Sequence, residues 1–246
     1  NAAGYVDSAK ARLTVQGGSS SAGVIGQWDF DQGDLRATVG GGLIYRSVTT
    51  EEETRFGTTT SFEMPGIGGA EAGVMCVPAL EGRGDGYAMP LPAVANGGGE
   101  HLNVYTLIMD LYYPDASAGQ WRALIQIDDP DNANDADFFV ANASNHQGIG
   151  ASGSYHGEVA AGQWHRLAFV VDQSEGVRRI DKYIDGAFVG SQGAGDVDGR
   201  WALRSGESAI LFADNDGETQ ITYVNAIQLR SEALSMPLFV RMSSGT

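Results

Sequence analysis

Apolar residues in this chain come in short runs, and nearly every run stops at a glycine, an aspartate or an asparagine. A run of that length satisfies a buried strand, whereas an amphipathic helix needs apolar positions recurring every three or four residues over a longer stretch. Helical recurrence is nearly absent; residues 231–234 alone suggest one turn. Strands are therefore expected at 24–30, 74–77, 104–111, 123–127, 138–141, 167–171, 183–184, 187–189, 210–212 and 223–229. Alternation is clearest in 223–229, YVNAIQL, where Asn225 and Gln228 interrupt the apolar face. Many short strands joined by glycine turns, with no internal repeat, make a sandwich or a barrel.

The turns account for the glycine content: 35 glycines against 7 prolines, in separate clusters and without a collagen-like period. Hydrophobic residues make up 42% of the 246, enough for the core of one large all-β domain. The formal net charge is −16, from 31 acidic and 15 basic residues. A field of that sign repels phosphates, so neither nucleic acid nor anionic lipid is an expected partner. It suits cation binding and simple solubility alike. No apolar run is long enough to span a bilayer, so no membrane insertion is expected. The single cysteine, Cys76, rules out an internal disulfide and a cysteine-built zinc site. Within GVMCVP at 73–78 it reads as a buried thiol.

The chain opens on Asn1 with neither a methionine nor a signal-peptide pattern, so an upstream segment is expected to have been removed. Residues 10–15 alternate like one strand, and 17–23, GGSSSAG, has the composition of a flexible linker. The opening NAAG, Ser8 and the ARLTV of 11–15 resemble the closing strand of an immunoglobulin-like domain. The organisation expected is a remnant strand at 1–16, the linker at 17–23, a domain at 24–236 and a tail at 237–246.

The most informative stretch lies between residues 150 and 190. Trp164-His165-Arg166 leads into an apolar strand ending at Asp172, and Tyr183-Ile184-Asp185-Gly186 follows. Asp-Gly is the strongest short hairpin signal, because its turn needs positive φ. These residues resemble the central signature of laminin-G-like, concanavalin A-like jelly rolls, a tryptophan–histidine strand followed by a tyrosine–x–aspartate–glycine hairpin. Residues 210–217, 223–229 and 233–235 resemble the closing strands and short terminal helix of that family. The resemblance implies two antiparallel sheets packed face to face, and a bacterial module of a larger secreted or cell-surface protein. Members of the superfamily bind sugars, proteins or calcium, and some cleave polysaccharides, so fold alone does not choose among these. The resemblance also implies one structural calcium between the first and last strands, at Asp29, Asp31 and Asn225; Asn225 stands where many members have aspartate.

The densest acidic segment is DDPDNANDAD at 128–137. Hard oxygen ligands crowded on one loop are what Ca²⁺ takes, at about 2.3–2.6 Å. Asp129, Asp131, Asn134, Asp135 and Asp137 are its candidates. The other account is a solvated loop whose aspartates and asparagines occupy turn positions. DNDGE at 214–218 is a second acidic string that reads as a hairpin turn.

A sugar site needs an aromatic platform beside planar polar groups. Trp121, Gln126, Asn142, Tyr155 and His156 are the candidates around the acidic segment, while Trp28, Trp164 and Trp201 read as packing. Catalytic hardware is not evident. Sandwich glycosidases need two carboxylates about 5–9.5 Å apart, and the strand acid Asp110 has no partner two or four residues away. The four histidines show no metal spacing, and His165 reads as a satisfied strand histidine. The expectation is a non-catalytic recognition module for a polysaccharide or glycan, with bound Ca²⁺ and with neighbouring domains of the parent chain as further partners. The alternatives are a structural or adhesive spacer and, behind it, a polysaccharide hydrolase or lyase.

Overall fold

The computed structural model of the chain describes residues 23–127 and 130–235. The remnant strand at 1–16, most of the linker, Asp129 and the tail lie outside the described residues.

In chain order the strands are β1 (Val24–Trp28), β2 (Ile44–Tyr45), β3 (Arg55–Thr58), β4 (Gly73–Val77), β5 (Tyr87–Pro90), β6 (Val104–Tyr112), β7 (Arg122–Gln126) and β8 (Phe138–Val140). They continue with β9 (Ile149–Ala151), β10 (Ser154–His156), β11 (Trp164–Asp172), β12 (Arg179–Ile184), β13 (Ala187–Gly193), β14 (Ser208–Leu211) and β15 (Thr222–Arg230). They form two antiparallel sheets stacked as a sandwich. One runs β13-β12-β11-β6-β15-β4-β3, with β1 also paired to β15; the other runs β10-β9-β8-β7-β14-β5-β2.

Alternation along the long central strands sets the core. Leu107, Met109 and Leu111 of β6 pair with Phe169, Leu167 and His165 of β11, and all but the histidine join the main apolar cluster between the sheets. Phe138 and Phe169, from opposite sheets, stack with centroids 4.3 Å apart. The intervening residues Ile108, Ala168, Val170 and Tyr183 form a small outer cluster that Leu234 covers. Asp110, the strand acid that lacked a partner in sequence, is held on the outer side by Arg166, Nη2 to Oδ2 at 2.5 Å.

The Asp185–Gly186 hairpin forms with φ of 51° and 80°, as its turn chemistry requires. His165 is satisfied, its Nδ1 at 2.7 Å from Asp185 Oδ2 and its Nε2 at 3.2 Å from the Ala160 carbonyl. Cys76 is buried.

Two local expectations change. Residues 231–234 form no helical turn, because their backbone is committed sideways: Leu234 N donates to Thr106 Oγ1 at 3.0 Å and Ser231 N to the Gly23 carbonyl at 2.8 Å. The one α-helix among the described residues is α1 (Val48–Glu53), which contains the acidic run 51–53. Ser47 caps it, accepting from Thr50 N at 3.0 Å. No helix among the described residues is long and apolar enough to cross a membrane.

Candidate functional site

The outer face of the β7–β10 sheet carries a second aromatic group, separate from the main core. Ala123 of β7 pairs with Phe139 of β8, Phe139 with Gly150 of β9, and Gly150 with Tyr155 of β10. This register brings Phe139 and Tyr155 into one patch with Ala123 and Ala136. Trp121, at the entrance to β7, lies over both rings, 5.6 Å from Phe139 and 5.1 Å from Tyr155, in edge-on contact with each. Trp121 and Tyr155 are half-buried. Among the described residues nothing accepts from the Trp121 indole nitrogen.

Carboxylates rim this patch because the pairing of β14 with β7 carries the 214–218 turn alongside β7. Ala123 N donates to the Glu218 carbonyl at 2.8 Å. Asp214 Oδ1 accepts from Ala136 N at 2.8 Å, and Asn215 Nδ2 donates to the Ala133 carbonyl at 3.3 Å. The two acidic strings, far apart in sequence, thus form one rim. Among the described residues a single group of three acidic side chains could share a cation: Asp214, Asp216 and Glu218, whose oxygens lie within 4.8 Å of one another. Crowding shows in their protonation. Partial burial, with the charges of Asp214, Asp216 and Asp135, pushes Glu218 up to about 7. A hydrogen bond shared with Asp214, slight desolvation and the charges of Asp214 and Asp135 raise Asp216. The Tyr155 hydroxyl is raised by burial and by Glu218 and Asp135.

The candidates read from sequence fall in several places. Gln126 is buried, and its Nε2 donates to the carbonyls of Asn134 and Asp135 at 3.1 and 2.9 Å, pinning the acidic loop. Asp131, Asn134 and Asp135 are exposed on that loop. Asp137 is fully buried; Oδ2 accepts from Ile127 N at 2.6 Å and Oδ1 meets Arg200 Nε at 2.5 Å. Arg200 also reaches Ser152 Oγ at 3.2 Å, linking the loop to the β9–β10 turn. Asn142 is half-buried after β8, its Oδ1 accepting from Ser144 Oγ at 2.6 Å. His156 follows Tyr155 but turns its ring to Lys182, Nδ1 at 2.9 Å from Nζ.

Of the three residues of the implied strand-end calcium, Asn225 lies in β15 of the other sheet and Asp29 and Asp31 follow β1. The Asp29 carboxylate accepts from the Gln27 amide and from Thr38 Oγ1, and Asp29, Asp31, Asp34, Arg36 and Thr38 line a shallow pocket. Asn225 Nδ2 donates to the Gly73 carbonyl at 2.8 Å, and a Cβ on Gly73 would lie 2.6 Å from Asp31 Oδ1, so Asp31 and Asn225 border the same residue.

No protein-family profile matches this chain, and no curated protein does. Solved structures do. Domain 4 of AbnA, a GH43 extracellular arabinanase from Geobacillus stearothermophilus solved in complex with arabinotriose, superposes with a TM-score of 0.56 at 16% identity, over 91% of this chain and 99% of that domain. The binding domain of botulinum neurotoxin serotype D gives 0.57 at 12% identity over 91% of this chain and 52% of its own length. The type G receptor binding domain gives 0.54 at 11% over 90% and 51%. The chain spans about half the length of these toxin domains. At such identities the likeness establishes the β-sandwich fold.

Proposed function

We propose that this chain is a non-catalytic carbohydrate-recognition module that holds a glycan against the Trp121–Tyr155 face. The observation that carries the reading is the aromatic pair itself, half-exposed and rimmed by Asp135, Asp214, Asp216 and Glu218. Ring faces and edges pack on sugar C–H surfaces while carboxylates and the Asn142 amide pair with hydroxyls. The solution of a similarly folded arabinanase domain with arabinotriose supports the same class of ligand. A bacterial secreted or cell-surface parent protein, with the laminin-G-like domain at 24–236, belongs to the same proposal.

Ca²⁺ is part of it. Asp214, Asp216 and Glu218 offer the hard oxygen donors the ion takes, and Glu218, pushed up to about 7 by its neighbours, is the kind of crowded carboxylate a cation relieves. Bound there, the ion would supply charge compensation and a docking point for sugar hydroxyls.

The test is retention on a panel of insoluble polysaccharides that includes arabinan, with and without chelator. Retention that falls with chelator is the expected result. Retention on none of them hands the domain to a structural or adhesive role, and release of soluble product from any of them overturns the non-catalytic reading.

A further inference from the structure

Behind the aromatic face, the two sheets are joined by a buried lysine. Lys182 of β12 is fully buried and pairs with Phe169 of β11, so its side chain enters the sandwich beside Ile180 and Ile184. Its Nζ donates to the Ser154 carbonyl at 2.5 Å, to Gln192 Oε1 at 2.6 Å and to His156 Nδ1 at 2.9 Å. No carboxylate among the described residues forms an ion pair with it. Two of the three acceptors belong to β10, the short edge strand that presents Tyr155. Consecutive strand residues point to opposite sides, so the strand that turns His156 inward to Lys182 turns Tyr155 outward to Trp121.

Glycines shape the contact. A Cβ on Gly150 would overlap the Ser154 carbonyl and sit 2.9 Å from Lys182 Nζ, and one on Gly190 would overlap the His156 ring. A Cβ on Gly157 would lie 2.7 Å from Ile184 Cδ1. Ring and ammonium therefore have little room to part without moving β10.

We propose that Lys182 is a positioning residue for the ligand face, holding Tyr155 through β10, and that protonation of His156 in weak acid releases it. The inference rests on the glycan reading of that face. Neutral His156 offers Nδ1 a lone pair for the ammonium; protonated, it sets two donors and two positive charges in contact. Among the described residues no other charged group acts on the His156 ring. β9 has none, β13 contributes only the Gln192 amide, and on β12 Arg179, Asp181 and Tyr183 alternate to the opposite side. Arg200 meets Ser152 and Asp137 instead. Burial, and after it the Lys182 charge, lower His156 below its ordinary value, which puts the release below about pH 6.5.

Two readouts separate this from the glycan reading. Amide exchange across 149–156, corrected for intrinsic rates, needs no ligand. Between pH 7.5 and 5 its protection is expected to fall about tenfold in the parent protein, to stay level in H156Q, and to be low at both pH values in K182M. Retention on the polysaccharide bound most tightly at pH 7.5 is expected to fall by a similar factor at pH 5 in the parent and not in H156Q, which keeps a neutral acceptor. H156Q decides the matter even if K182M does not fold. A pH-invariant hairpin, or an equal loss in H156Q, overturns the clamp whatever the polysaccharides do. Retention on none of them at pH 7.5 overturns the glycan reading, and the positioning role with it.

Discussion

The sandwich carries aromatic clusters on both outer faces, one around Trp121 and one around Trp164, and they differ in what closes over the indole. Trp164 packs on Tyr112 at 5.6 Å, Tyr112 on Tyr223 at 6.1 Å, and Tyr223 on Phe62 at 5.2 Å. Arg55 covers Phe62, and the Trp164 indole nitrogen donates to the Pro65 carbonyl at 2.8 Å. Trp164 is half-buried like Trp121, but its indole nitrogen is satisfied by its own chain. The Trp121 cluster has the same kinds of ring but no acceptor for its indole among the described residues, and carboxylates at its edge. The two clusters share residue types and differ at the polar edge, and the proposed ligand platform rests on that difference.

Exchanging the two tryptophans tests this most severely. W121A is expected to lose retention by about a hundredfold, the scale of a binding hot spot, while remaining folded at about 25 °C. W164A is expected to lose about 2–4 kcal/mol of stability and keep its affinity per folded molecule. Equal effects in both assays would erase the distinction.

Calcium should act on one face only. A ligand bound to the folded state at a hundred times its Kd stabilises by about 2.7 kcal/mol, a rise of about 5–10 °C for a domain of this size. E218Q and D216N are expected to abolish the rise and W164A to keep it. Calorimetry that shows the same rise in E218Q would move the ion elsewhere, with the Asp29–Asp31–Asn225 region the next place to examine.

The smallest effect expected is in the pH dependence without calcium. Glu218 sits at about 7 in the fold, above the roughly 4.3 of an unfolded glutamate, so the folded state holds the extra proton. That contribution is complete below about pH 4 and is lost as the pH rises through 7. The group is partly exposed, and solvent screening keeps the change under about 1 kcal/mol. E218Q should flatten it, and calcium, which takes the carboxylate form, should stabilise more as pH rises through the same window. Urea melts from pH 4 to 8 check both.

Much of this was legible in the residue order. The expected strands at 104–111, 167–171 and 223–229 correspond to β6, β11 and β15; two-sided burial writes long apolar runs in the first two, and alternation marks the third. β2, β3, β5, β9 and β10 were not read, since they are short and lack such runs. Lys182, between Asp181 and Tyr183, looks like any polar strand residue. Its burial follows from the register that pairs it with Phe169.

By itself the sequence determined the class of fold, the Asp185–Gly186 hairpin and the acidity of two loops, since run length, turn chemistry and charge are local properties. Only the tertiary structure decided that those loops share one rim, that Trp121 meets Tyr155, and that Lys182 reaches β10 from the opposite sheet. Each depends on pairing between strands remote in the chain, such as Ile210 with Gln126, and a contact across such a separation leaves no periodic trace in the sequence.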